Sequence, residues 1–261
     1  MQPSELIKPF FAIIFASLFS QSKEKSFGLV LKPLLFFLPI IILIFKQPDL
    51  GNVLVYSFIF ILMTVMSGLP FKYIFAGLGS FLLLFPSIWL FLKQYQRIRI
   101  LSFLDPKSDP IGAGYNALQA IIAIGSGRIT GLGLGRGTQS HLLFLPEYHT
   151  DFVFASIGEE LGLMGTGMVI IFYFILLGRI LMIANSQNNR FAVLLAIGLF
   201  AQLFIQVFIN IGMNLGILPI TGITLPMLSY GGSSVISTFA SLGLVVSISR
   251  SSKSDSPIVI K

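Results

Sequence analysis

Long apolar runs alternate along the chain with short polar interruptions. Stretches near the length that crosses a bilayer, about 20 residues, occupy residues 5–20, 30–45, 52–69, 71–92, 152–178, 191–211 and 232–249. Polar or turn-forming segments separate them: SQSKEKS at 20–26, KQPDLGN at 46–52, GLPFK at 68–72 and NSQNNR at 185–190. The pattern predicts an all-α integral membrane protein of about seven transmembrane helices, a single polytopic domain over 1–261. A kink is expected at Pro86, of the kind that neighbouring membrane helices accommodate. Residues 93–151 break the pattern and are expected to form a long structured extracytoplasmic loop. Connections of that length inside a compact protein are usually functional. Within it, KQYQRIRILSFL (93–104) interleaves cations with Ile, Leu and Phe, as an interfacial helix does. YNALQAIIAIGSG (115–127) predicts a second short helix at the interface.

Composition agrees with the pattern. The chain is 55% hydrophobic and only 10% charged, against about 25% charged in soluble domains, and its mean hydropathy is +0.91. Twenty-six Phe against seven Tyr and one Trp suggest a lipid-facing surface, and the absence of Cys excludes disulfides and thiolate chemistry. The net charge of +7 would suggest nucleic acid in a soluble protein. In a membrane protein the side each cation occupies carries the information, and no nucleic-acid partner is expected. Lys23, Lys25, Lys32, Lys72, Arg179, Arg190, Arg250, Lys253 and Lys261 fall on one side, and only Lys46 lies in the short loops of the other. The first side is therefore read as cytoplasmic, with the C-terminus inside and Met1 and the 93–151 loop outside. The loop carries Lys93, Arg97, Arg99, Lys107, Arg128 and Arg136 against Asp105, Asp109, Glu147 and Asp151. This cationic excess fits either anionic lipid head groups or a phosphate-bearing substrate held outside the cytoplasm.

Ionisable residues inside apolar runs are costly and are candidates for function. Glu5 and Lys8, three apart, share a helix face, either as a pair at a polar cavity or as interfacial residues at a helix start. Glu159 and Glu160 lie within the fifth run, and helical spacing through 151, 155 and 159 would stack Asp151 and Glu159 on one wall. Asp151 before an apolar run also reads as a helix N-cap. PEYHTD (146–151) gathers Glu147, His149 and Asp151, but no second cluster completes a tight metal shell. A transient divalent cation, Mg or Mn, bridging a phosphate is the one cofactor left open. GLGLGRGTQ (131–139) lacks the strand that a dinucleotide fingerprint requires. It reads as a loop whose backbone N–H groups and Arg136 could approach an anion. Asp49 is expected to cap the following helix, and LSYGGSS (228–234) to form a close-packed turn.

Several stretches together carry a family resemblance. They are QPSEL-x-K (2–8), QPDLG (47–51), RILSFLDP (99–106), DPIGAGYN (109–116), AIGSG (123–127), GTQSHLLFLPEYHTDFVFA (137–155), EELG (159–162) and NIGMNLGILPITGITLPMLSYGGSS (210–234). Over essentially the whole chain these resemble the SEDS family (shape, elongation, division and sporulation). AGYN and AIGSG are more similar to its RodA-like elongation branch than to its FtsW-like division branch. The resemblance implies a peptidoglycan glycosyltransferase of the bacterial plasma membrane that polymerises lipid II on the outer face, in elongation and shape maintenance or in division. It implies a class B penicillin-binding protein transpeptidase as partner. Asp151 matches the aspartate of the family's PE-x-HTDF, which implies that it is the general base acting on the acceptor sugar's C4 hydroxyl. Glu5 and Lys8 match the family's SEL-x-K pair beside a central cavity. Arg97, Arg128, Arg136, His149 and Glu159 are the further substrate-binding candidates, the cations being suited to an undecaprenyl diphosphate leaving group. Two departures stand out. Family members have about ten spanning helices and QPSEL-x-K opens the fourth, so the chain is expected to be N-terminally truncated relative to them. Ala120 stands where the family usually has Ser. Two other functions fit the resemblance: a lipid II flippase with a polar path lined by Glu5, Lys8 and Glu159, and a non-catalytic scaffold for the transpeptidase.

Overall fold

The computed structural model describes residues 2–21, 28–47, 49–70, 93–105, 112–142 and 144–254, with 72, 73, 76, 79 and 109. Regular structure among the described residues is helical: α1 (Pro3–Leu6), α2 (Lys8–Gln21), α3 (Gly28–Lys46), α4 (Leu50–Met66), α5 (Gln94–Leu104), α6 (Ala113–Gly127), α7 (Thr138–His141), α8 (Val153–Asn185), α9 (Arg190–Asn214) and α10 (Gly232–Ser254). Among the described residues, four stretches are long and apolar enough to cross a membrane: Leu29–Lys46, Val153–Asn185, Arg190–Asn214 and Gly232–Arg250. Lys8–Gln21 and Leu50–Met66 are shorter apolar helices. Six of the seven apolar runs are therefore helices of an all-α membrane protein. The seventh, 71–92 with Pro86, lies largely outside the described residues, as do Lys23, Lys25, Lys107 and Lys261. The two helices expected within the 93–151 segment are present as α5 and α6.

The chain divides into two compact units. Met1–Gly79, Ile175–Ile205 and Gly232–Lys261 form one, and Ser80–Phe174 with Gln206–Gly231 form the other. In the first unit, α2 buries Phe11, Ala12, Phe15, Ala16 and Phe19, which recur at helical spacing. Phe11 meets Tyr56 of α4 edge-on at 4.8 Å between ring centroids, and Phe15 meets Phe60 at 5.5 Å. The Phe-rich composition thus serves this core as well as lipid, since Phe10, Phe36, Phe172 and Phe174 are exposed. Between apolar helices in lipid, close packing and polar contacts supply the association energy. Both occur here. A Cβ at Gly198 of α9 would lie 2.9 Å from Met63 Sδ. Gln202 Nε2 donates to Ser237 Oγ at 3.4 Å, and Ser241 Oγ donates to Gln202 Oε1 at 3.2 Å. Asp49 caps α4 as expected, accepting from Asn52 N at 3.0 Å.

In the second unit the fifth apolar run departs from expectation. α8 is broken at Gly162, whose φ is +65°. The loop after α6 repairs the break. Leu132 N and Gly133 N donate to Glu159 O and Glu160 O, while Leu163 N and Met164 N donate to Arg128 O and Ile129 O, at 2.8–3.1 Å. A broken membrane helix persists only where its freed backbone groups find partners. This seam needs glycine. A Cβ at Gly127 would fall 1.8 Å from Gly158 O, one at Gly131 2.1 Å from Glu160 O, and one at Gly162 2.4 Å from Gly131 N. The Gly-rich segment at 131–137 is in part this seam. α8 also continues seven residues beyond 178, to Asn185, with Arg179 exposed and Ile180 and Ala184 buried.

Candidate functional site

Asp151 lies in a tight turn ahead of α8. Glu147 opens the turn at φ +56°, and the amides of Thr150, Asp151 and Phe152 all donate to its carbonyl at 3.1–3.3 Å. Three successive carbonyls are then held by a distant stretch of chain. His149 O accepts from Tyr230 N at 2.8 Å, and Thr150 O accepts from Ser229 Oγ at 2.5 Å. Asp151 O accepts from Asn210 Nδ2 at 2.9 Å and from Asn214 Nδ2 at 3.1 Å. α8 begins at Val153, so Asp151 lies outside the helix and the spacing argument that stacked it on Glu159 does not apply. The capping role is also filled otherwise: Ala155 N donates to Asn214 Oδ1 at 3.1 Å.

The Asp151 carboxyl is pushed up from the ordinary aspartate range to about 6. Burial is the first cause and the nearby Glu147 carboxylate the second. Arg99 and a hydrogen bond from Thr150 oppose the rise. Gly222, at φ +75°, adjoins the carboxyl, and a Cβ there would lie 3.5 Å from Asp151 Oδ2. Arg99 of α5 also lines a small open cleft of about 40 Å³, whose other walls include Ser102, Ala117, Ile121, Leu218 and Ile220. The cleft is apolar with a guanidinium at its edge.

The remaining predicted residues are placed as follows. Arg97 is half-buried on α5, while Arg128, Arg136 and His149 are exposed. The His149 ring lies 3.7 Å from that of Tyr148. Glu159 is fully buried. Its carboxylate accepts from Gln139 N at 2.7 Å, Ser140 Oγ at 2.8 Å, Ser140 N at 3.1 Å and Thr138 Oγ1 at 3.2 Å, so it is bound within the protein at the start of α7. Glu160 pairs with His141 Nε2 at 2.9 Å. Glu5 and Lys8 belong to the other unit and form a buried ion pair of 2.5 Å across the α1–α2 break. The second Glu5 oxygen and Asn52 Oδ1 are buried without a hydrogen-bond partner. Among the described residues no group of three or more His, Asp or Glu side chains could hold a metal ion. The PEYHTD residues thus do not form a prebuilt cage.

Sequence reasoning passed over Arg99, Asn210, Asn214, Gly222 and Ser229 as site residues. The two asparagines carried a usable signal, since amide side chains four apart in an apolar helix require partners. Arg99 was one cation among six, and only the packing of α5 distinguishes it.

A family model for cell cycle proteins, covering FtsW, RodA and SpoVE, matches residues 1–254. The chain belongs to the FtsW/RodA/SpoVE family. Among its curated relatives, the peptidoglycan glycosyltransferase MrdB of Escherichia coli K12 is 42% identical over 252 residues, 95% of this chain and 67% of that protein. The probable peptidoglycan glycosyltransferase FtsW of Wigglesworthia glossinidia brevipalpis is 39% identical, over 86% of this chain and 59% of that protein. The chain therefore spans about two-thirds of the length of the curated relatives it matches. Among solved structures, a peptidoglycan synthase complex that coordinates polymerization and crosslinking gives a TM-score of 0.82 at 35% identity, covering 98% of this chain and 71% of that one. The Thermus thermophilus rod shape determining protein RodA gives 0.63 at 29% identity, covering 96% and 66%. These likenesses place the fold among FtsW/RodA/SpoVE membrane proteins. Ala120 is buried in an apolar cluster with Ala123, Leu145, Phe152 and Ala155.

Proposed function

We propose that this chain is a peptidoglycan glycosyltransferase of the bacterial plasma membrane that extends glycan strands from lipid II, with Asp151 as general base. The observation that carries the reading is a half-buried carboxyl near pH 6 beside Arg99, in a turn whose carbonyls are held on three successive residues. A base with an affinity near the working pH is ionised at neutrality yet accepts a proton readily. The acceptor's C4 hydroxyl attacks the donor's anomeric carbon, forming the new O4–C1 bond while the C1–O bond to the diphosphate breaks. The hydroxyl proton goes to Asp151, and the electron pair leaves with undecaprenyl diphosphate. Arg99 and Arg97 supply positive charge for that leaving group, and Arg128, Arg136 and His149 are exposed where further contacts to the substrate can form. A magnesium or manganese ion would enter as a companion of the diphosphate, offsetting its charge. Glu159 acts by fixing α7 rather than by binding substrate. The Lys- and Arg-rich short loops face the cytoplasm, the 93–151 segment faces outward, and a class B penicillin-binding protein crosslinks the product.

One observation favours a second reading, a transporter of the lipid-linked precursor. Beside the buried Glu5–Lys8 pair, Glu5 Oε2 and Asn52 Oδ1 are buried without hydrogen-bond partners, as acceptors lining a polar path would be. Asp151→Asn separates the two readings. With purified chain, its transpeptidase partner and lipid II, the native protein makes glycan strands and Asp151→Asn loses at least about 1000-fold in rate, a loss typical of deleting an essential catalytic side chain. Equal strand synthesis by both would remove Asp151 as base.

A further inference from the structure

We infer that Asn210 and Asn214 are positioning residues for the reaction, holding the Asp151 main chain so that its carboxylate is fixed at the reacting hydroxyl. This rests on the reading of Asp151 as the base. The two side chains lie one turn apart on α9 and are fully buried. Asn210 Nδ2 bridges two carbonyls, Asp151 O at 2.9 Å and Ile223 O at 2.7 Å. It thereby ties the catalytic turn to the 221–223 segment, whose Gly222 adjoins the Asp151 carboxyl. Asn214 Nδ2 donates to Asp151 O at 3.1 Å and to Asn210 O at 2.8 Å, while its Oδ1 accepts from Ala155 N at 3.1 Å. One amide thus caps α8 and anchors the residue two places before it.

Elementary design points away from a purely structural reading. Aspartate ahead of a helix ordinarily spends its own carboxylate on the first-turn N–H groups. Here Asn214 takes one of those groups, and the carboxylate is spared for other work. The double hold on a single carbonyl fixes the residue from its backbone, and neither asparagine bonds the acidic side chain. A misplacement of about 1 Å at a reacting group costs on the order of 100-fold in rate, so the tether acts on turnover more than on binding.

The test compares native protein, Asn210→Ala, Asn214→Ala, Asp151→Asn and Asn210→Ala/Asp151→Asn, each as the full chain with its transpeptidase, polymerising lipid II in detergent. Asn210→Ala leaves the Ala155 cap intact and should lower kcat about 10- to 100-fold with KM for lipid II within about twofold. In the Asp151→Asn background the same substitution should cause no further loss, because a residue that acts through Asp151 has nothing left to position. If Asn210→Ala fails to fold, Asn214→Ala, which leaves both Asn210 bonds in place, carries the same expectation. An Asn210→Ala protein with native kcat, or one whose loss adds in full to that of Asp151→Asn, overturns the inference while Asp151 keeps its role. Native turnover by Asp151→Asn would instead overturn the reading of Asp151 as base, and the inference with it.

Discussion

Asp151 carries a raised proton affinity, and this has a consequence for stability as well as for rate. A carboxyl whose affinity is higher in the folded than in the unfolded chain favours the fold while it is protonated in both. That contribution declines as pH rises from the ordinary aspartate range through about 6. Above that, the folded protein contains an ionised group it would hold more easily as an acid. Asp151→Asn should therefore stabilise the solubilised protein at pH 7.5 by about 1 kcal/mol, after discounting for solvent screening, and by much less at pH 4.5. Melting curves at the two pH values check this, and equal shifts at both would contradict it. Gly222 gives a second expectation. Alanine there meets both a left-handed φ of +75° and the Asp151 carboxyl, so Gly222→Ala should reduce strand synthesis at least tenfold while costing about 1–2 kcal/mol in stability. Little of this was legible in the sequence. Asp151 and Glu147 were visible together in the PEYHTD motif, but Arg99 and Gly222 are brought to them by tertiary packing rather than by local order.

At the level of elements, the second unit contains the break in α8 at Gly162. An apolar period cannot signal a reversal of φ at one glycine, so residues 152–178 read as one continuous helix. The glycines at 127, 131 and 162 are spread over separate motifs, and their shared purpose depends on backbones meeting across the seam. Gly162→Ala combines a positive φ with an approach of 2.4 Å to Gly131 N. It should cost roughly 3 kcal/mol or more, seen as a large fall in melting temperature or in yield of folded protein. Glu159 illustrates a different failure of spacing. Its carboxylate accepts four hydrogen bonds from α7, so Glu159→Gln, which turns one acceptor into a donor, should cost about 1–3 kcal/mol. KM for lipid II should stay unchanged in the protein that remains folded. A raised KM with native stability would return Glu159 to the substrate-binding set.

For the molecule as a whole, the membrane class, six of the apolar helices and the two helices of the 93–151 segment were legible, because hydropathy is a property of local sequence. The division into two units was not, since it cuts through α8 and α9 where the apolar pattern is unbroken. Sidedness is open to direct measurement, because the chain contains no cysteine. Leu134→Cys in the 93–151 segment should react with a membrane-impermeant maleimide on intact spheroplasts, and Asn188→Cys only after lysis; the reverse pattern would invert the topology. The central claim, that a carboxyl held at Asp151 takes the acceptor proton, is tested most directly by the pH dependence of kcat/KM for strand synthesis. An acid limb should appear with a midpoint near 6, rate falling as pH drops because the base becomes protonated, and Arg99→Ala should move that limb upward by removing the cation that opposes it. A profile flat from about pH 5 to 8, or a limb that Arg99→Ala leaves in place, would put the base elsewhere.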